Sequence, residues 1–326
     1  MASSLPLSSQ ATAVFGALVA DAATMGLHWL YDPERIQKIR DRNGGTTAFI
    51  PPLAENFEDT SGYFAHGNRH NGMSTQYGEC LALMLDHLCR HDGKLEVAEY
   101  QTAFAAYFGA GGSYRGYIDR PTSGTLSNLA RGQRTPSGID DDQHPAISTL
   151  PALVAAYHGT AELEQAVSDA MQVTNVNETA SEYGAIFTRL LTKVLQGNDL
   201  LQAMQDEAAA ATGETGEKLR DALETPEQSS ITYGEITGRA CHLPMSVPLM
   251  FHILRHGPDF SEAIELNTRC GGDNAGRAIM IGALLGAKYG LDPDRGIPLD
   301  WSLKTLHGSF LWQQCLWLGH RASQGQ

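Results

Sequence analysis

The segment Cys270-Gly271-Gly272-Asp273-Asn274-Ala275-Gly276-Arg277 concentrates side chains that could do chemistry in this chain of 326 residues. A glycine pair delivers one aspartate to the start of a stretch rich in Gly and Ala, with small residues at Gly282, Ala283, Gly286 and Ala287. Free N–H groups and the macrodipole favour a carboxylate at a helix N-terminus, so the spacing predicts Asp273 as an N-cap. The small residues behind it predict close approach by a neighbouring backbone. A carboxylate held that rigidly can also serve as an acid, a base or a ligand-orienting group, with Asn274 and Arg277 beside it as binding groups.

Two further groups are catalytic candidates. His28 sits beside Trp29 and Tyr31, with Asp32 four residues on; it reads as a helix cap or as a general acid/base. Glu79 lies among Cys80, Leu83 and Met84, where burial would raise its pKa and suit it to proton transfer, unless it reaches solvent or pairs locally. His66 and His70 are four apart, as are His252 and His256, yet neither pair encloses the glutamate of a zinc-hydrolase motif, and no metal-ligand set is expected from them. Arg115, Arg120, Arg131 and Arg134, with Gly111, Gly112 and Gly116, form either an anion cradle or a set of solvated surface arginines. No Gly-x-Ser-x-Gly elbow is present.

The elements that must position these groups read as helices. Apolar residues recur at helical spacing from Ser8 or Ser9 to about Met25, and over 74–91 through Leu81, Met84, Leu85 and Leu88. Further helices are expected near 95–109, 145–158, 161–172, 179–195, 198–211, 214–224, 244–256 and 259–269. Period-two alternation bounded by hairpin turns is missing. The expectation is an all-α fold in one domain over 1–326, interrupted by long non-helical stretches at about 40–73 and 110–144. Loops of that length in a compact domain carry function or are disordered, and Tyr63, Phe64, Tyr114 and Tyr117 favour order.

Composition narrows the function. Net charge is −14, from 37 acidic and 23 basic residues, which argues against a general nucleic-acid binder. Five cysteines without CxxC spacing argue against a disulfide scaffold and for a reducing cytoplasm. The apolar stretch at 13–20 is short and lacks a basic flank, so neither a signal peptide nor a membrane span is expected.

Three blocks resemble the ADP-ribosylglycohydrolase superfamily: Gly16-Ala17-Leu18-Val19-Ala20-Asp21-Ala22-Ala23, then Ser74-Thr75-Gln76, then Gly271-Gly272-Asp273 leading into Ile281-Gly282-Ala283. The run from Ala20 through Leu27-His28-Trp29-Leu30-Tyr31-Asp32 is most similar to the J-crystallin and selenoprotein J branch. The resemblance implies a compact all-α protein, whose active relatives remove ADP-ribose from side chains with two magnesium or manganese ions. His28 stands where those relatives carry a glutamate. Gly72-Met73-Ser74-Thr75 replaces Thr-Asp-Asp-Thr, and Ala275 and Gly276 replace the second aspartate and threonine of the third block. Magnesium wants six hard oxygen ligands, and one aspartate cannot neutralise a metal pair. The binuclear centre is therefore expected to be absent, with a single ion on Asp273 left open. The implied function is a hydrolase acting on a ribosyl or nucleotide-like small molecule, with Asp273, His28 and Glu79 catalytic. Ser74, Gln76, Tyr77, Ser113, Tyr114, Asp141, Asp142, Gln143, Asn274 and Arg277 would line the ligand. The alternative is a non-catalytic ligand-binding or crystallin-like structural protein.

Overall fold

In a computed structural model, which describes residues 8–225 and 227–324, two helices from opposite ends of the chain run against each other with almost nothing between their backbones. The first is α1 (Ser9–Thr24); its counterpart, here α15, spans Asn274–Tyr289. A Cβ added at Gly16 would collide with the carbonyl oxygen of Gly282; one at Gly282 would collide with that of Gly16, and one at Gly286 with that of Thr12. The small residues are there because any side chain would force the helices apart. Both helices are buried on nearly all faces, as expected of central helices rather than of a surface pair. The apolar stretch Ser9–Leu27, long enough to cross a bilayer by composition, is 94% buried within the protein and serves as a core helix.

The remaining helices wrap this pair. They are α2 (Pro33–Arg42), α3 (Gln76–Arg90), α4 (Val97–Phe108), α5 (Arg120–Ala130), α6 (Pro145–Ser148), α7 (Leu150–Tyr157), α8 (Leu163–Thr174), α9 (Glu178–Leu195), α10 (Leu200–Ala210), α11 (Gly213–Glu224), α12 (Ser230–Thr237), α13 (Leu243–Leu254), α14 (Phe260–Cys270), α16 (Leu299–Lys304) and α17 (Gly308–Gln324). The described residues form no strand, only three isolated bridges. The all-α expectation holds, and the expected helices fall within a few residues of their predicted bounds. The outermost residues of the expected 1–326 domain lie outside those described.

Two expectations need correction. The stretch 110–144 is not wholly non-helical, because α5 interrupts it: Asp119 caps it by accepting from the N–H of Thr122 at 2.8 Å, and Pro121 sits in its first turn. Ser8 occupies the N-cap position of α1 but does not cap with its side chain; its hydroxyl donates to Gln10 Oε1 at 2.6 Å.

The 40–73 stretch is irregular apart from a 3₁₀ turn at Ala54–Phe57, and it is tied down rather than loose. Glu265 on α14 accepts from the N–H of Thr47 at 2.7 Å and its hydroxyl at 2.6 Å. Further along, Leu30 pairs with Gly62 in an antiparallel bridge. These ties bring His66 to the end of α1.

Candidate functional site

Asp273 is fully buried and held from both sides of its backbone. Gly271 ends α14 at φ 74° and Gly272 follows at φ 69°, conformations that an L side chain resists. Any Cβ on Gly272 would also strike the carbonyl of Arg239. That close approach lets Trp29 N donate to Gly272 O, Gly272 N to Leu30 O, and Asp273 N to Arg239 O, each at 2.9 Å. The side chain caps α15 as expected, accepting from Gly276 N at 3.0 Å.

Asp273 does more than cap. Its Oδ1 also lies 2.8 Å from His28 Nε2, while Oδ2 accepts from the Tyr77 hydroxyl at 3.0 Å. Burial alone would raise the pKa of this carboxyl; His144 and His28 nearby, with the hydrogen bonds from His28 and Gly276, overcome that and hold it well below the usual carboxylate range. Asp273 is thus an ionised carboxylate inside a shell of donors.

The other ring nitrogen of His28 continues the chain: Nδ1 lies 2.8 Å from His66 Nε2. An ionised carboxylate only accepts, so Nε2 of His28 carries the proton shared with Asp273. One of the two facing nitrogens donates and the other accepts, as the tautomers dictate, and His66 Nδ1 has no protein partner. Burial, then the neighbouring His28 and Arg69, push the His66 pKa well down and keep that ring neutral. The result is a buried hydrogen-bonded line from His66 through His28 to Asp273.

A second imidazole stands on the other side. His144 Nε2 lies 2.6 Å from the hydroxyl of fully buried Ser246, and burial pushes its pKa down to about 4. A Cβ at Gly276 would overlap the His144 ring, so the missing side chain at 276 is what makes room for it.

Two more buried carboxyls flank the site. Asp21 accepts from Thr75 N at 2.8 Å and from Thr75 Oγ1 at 2.5 Å, and burial raises its pKa to about 7 against those hydrogen bonds. Asp119 accepts from Gln76 Nε2 at 2.7 Å, and burial raises its pKa to about 6. At the rim, Trp29 (at φ 65°), Tyr63 and Tyr117 pack with ring centroids 4.9–5.9 Å apart, and Trp29 lies 4.3 Å from the His28 ring.

The structure brings together only part of the set expected from sequence. Asp273, His28 and Tyr77 meet directly, with Asn274 buried alongside. Asn274, however, donates to Leu27 O at 3.1 Å and so braces the loop. Arg277 is fully buried and faces away from a ligand: it binds Asn267 Oδ1 at 2.8 Å and Gly271 O at 2.6 Å, locking the glycine turn. Glu79 pairs with Arg69 and accepts from Tyr107 at 2.6 Å, and makes no hydrogen bond to Asp273, His28 or Tyr77. Ser74 offers its carbonyl to Arg69 at 2.6 Å, and Gln76 is committed to Asp119 and Thr122. Tyr114 lies buried under Arg69, its hydroxyl on Tyr117 O, while Ser113 is exposed.

The 141–143 turn is a framework rather than a free rim. Asp141 takes Arg120 at 2.5 Å, Asp142 takes His242 Nδ1 at 2.5 Å, and Gln143 accepts from the Cys241 thiol at 3.2 Å. The four arginines, read as an anion cradle or as surface groups, are all exposed and each bonds its own neighbourhood: Arg115 with Gly112 and Tyr114 carbonyls, Arg120 with Asp141, Arg131 with Asn128, Arg134 with Gln101. Sequence reading missed His66 as a partner of His28, and His144, Ser246 and Asp119 altogether. Only the Asp-x-Pro cap signal of Asp119 was visible locally.

Comparison with known proteins agrees with this architecture. The ADP-ribosylglycohydrolase family profile matches residues 6–325. Crystallin J1A of Tripedalia cystophora is 27% identical over 316 residues, covering 91% of this chain and 92% of its own length. Crystallin J1B of the same animal is 26% identical over 316 residues, covering 91% of each. A solved ADP-ribosylglycohydrolase-related protein complex superposes with a TM-score of 0.71 at 18% identity, over 97% of this chain and 98% of that one, which establishes the fold.

Proposed function

This chain belongs to the ADP-ribosylglycohydrolase family, and from that premise we propose that it is a hydrolase of a ribosyl or nucleotide-like small molecule that works without a binuclear metal centre. The observation that carries the reading is the ionised Asp273 clasped by His28, whose other nitrogen is hydrogen-bonded to His66. Breaking a glycosidic bond needs negative charge beside a developing oxocarbenium ion and a group that moves a proton to the leaving oxygen or from water. Asp273 supplies the first. The second falls to the incoming water, whose hydroxyl joins the ribosyl carbon while its proton goes to the leaving oxygen; His28 and His66 hold the carboxylate in place beside it.

The donor set does not fit paired magnesium ions. Asp273 is the single carboxylate among these contacts, and both its oxygens are already bound by His28, Gly276 and Tyr77. Hard cations of this kind require several oxygen ligands, and imidazole nitrogens are poor substitutes. The His144 ring also fills the volume that a side chain at 276 would need. No step is therefore routed through a metal. The net charge of −14 and five free thiols favour a small-molecule substrate and a reducing cytoplasm.

The test is release of ADP-ribose from ADP-ribosylated arginine and serine peptides in EDTA and in magnesium. Turnover in EDTA that vanishes in Asp273→Asn is the expected result. Magnesium-stimulated turnover, or two bound manganese ions in soaked crystals, overturns the metal-free reading; failure to bind ADP-ribose by calorimetry overturns the ligand class. Elemental analysis of the purified protein addresses a single ion at Asp273. One observation favours a non-catalytic reading: Asp273 is fully buried with every oxygen satisfied internally, as a structural network would be. Absence of turnover on every substrate, with the folded state intact, selects it.

A further inference from the structure

The C-terminal helices α16 and α17 leave an apolar face uncovered. Leu299 is 74% exposed and Leu303 78%, one turn apart on α16. Leu306 in the following turn is 46% exposed, and on α17 Phe310 is 56%, Leu316 36% and Trp317 39%. These six side chains leave roughly 600 Å² of apolar surface open, at the top of the range for a monomer's largest patch. They are half of the exposed large apolar residues among those described, gathered within nineteen positions (299–317).

We propose that this face is a two-fold contact between two copies of this chain. Three observations favour a second copy over another occupant. The area is close to the roughly 800 Å² per partner of a standard stable interface once a polar rim is added. The composition is that of an interface core: Gly308–His320 contains no Asp, Glu, Lys or Arg, and it presents Phe310 and Trp317 as aromatic anchors. In a chain of net charge −14, two copies repel across most of their surface, and the α17 stretch 308–320, which has no Asp, Glu, Lys or Arg, is where they can meet.

Leu306 and Phe310 of this face also line a groove of about 420 Å³ with Leu83, Tyr107, Glu79 and Asp86, while Leu299 and Leu303 on α16 stand outside it as a ridge. A two-fold axis places one copy's ridge against the other's groove, as an isologous contact requires. The alternative of an anionic membrane surface is disfavoured by the net charge of −14.

The contact would abut the second sequence block. Leu306 N donates to Gly72 O at 2.7 Å, and the Gly72–Thr75 loop carries the Thr75 that holds Asp21. Sedimentation velocity and light scattering of the full chain at up to about 50 μM, enough to populate a dimer of micromolar Kd, test the proposal. The wild type is expected as a dimer, with Leu303→Asp and Phe310→Asp each weakening association at least tenfold, while Leu201→Asp on α10 leaves it unchanged. All three positions are exposed, and circular dichroism checks that each variant is folded. A wild type that stays monomeric throughout overturns the proposal, as does a dimer indifferent to both ridge and groove substitutions. Flotation of a monomeric wild type with neutral phosphatidylcholine vesicles would overturn it in favour of a membrane contact.

Discussion

Gly276 and His144 occupy a single volume: the absent side chain of one is the space filled by the imidazole of the other. The histidine is anchored there by Ser246. Because of this coupling, a side chain cannot enter at position 276 unless the ring at 144 moves.

Gly276→Thr should therefore destabilise the fold by about 2–4 kcal/mol through overpacking. Adding His144→Ala should recover at least 1 kcal/mol, a coupling measured by urea denaturation of the single and double variants. Strict additivity would show that the ring yields freely.

Asp273→Asn should abolish turnover, by 10²-fold or more, and cost about 3–5 kcal/mol, because a carboxamide cannot accept from His28, Gly276 and Tyr77 together. Measuring kcat alongside the denaturation midpoint separates the two effects. A fully active variant would remove Asp273 from the chemistry.

The folded-state pKa of Asp21 is raised to about 7, above the roughly 3.9 of an unfolded aspartate. Between those values the folded chain keeps a proton that the unfolded chain has lost, so this group's contribution to stability falls as pH rises from about 4 to 7. Buried histidines such as His144 run the opposite way, so the clean measure is a difference. Asp21→Asn should gain on the wild type by several kcal/mol between pH 5 and pH 8 in parallel thermal melts. A constant gap between the two curves would contradict the assignment.

Arg277→Lys should cost about 3 kcal/mol, since an ammonium cannot span Asn267, Gly271 and Arg239 with one planar fork. If Arg277 acts only by locking the turn, any surviving activity should keep its KM and pH profile. A large rise in KM with unchanged stability would instead bring the guanidinium back to the ligand.

The helical skeleton was legible because apolar residues recur at helical spacing in the long helices, and because Gly-Gly-Asp marks both a helix stop and the next start. Helices α2, α12, α16 and α17 were missed; at α2, Asp32-Pro33 is a sound start signal, and Asp32 accepts from Glu34 and Arg35 N–H groups, but only Ile36 and Ile39 form an apolar stripe. The site was harder. Local context placed Asp273 and singled out His28, yet His66, His144 and Ser246 reach it through tertiary packing that no spacing encodes. Polarity misled in the other direction: Arg277 and Glu79 looked like ligand groups, whereas burial commits one to a turn and the other to Arg69 and Tyr107.

The glycine seam between α1 and α15 joins residues some 270 positions apart. During synthesis the first helix, buried on every side in the fold, must wait until the residues from Asn274 onward have been made before its counterpart arrives. Closing the spine is therefore a late, long-range event, and a cut that reaches into either helix removes half of it.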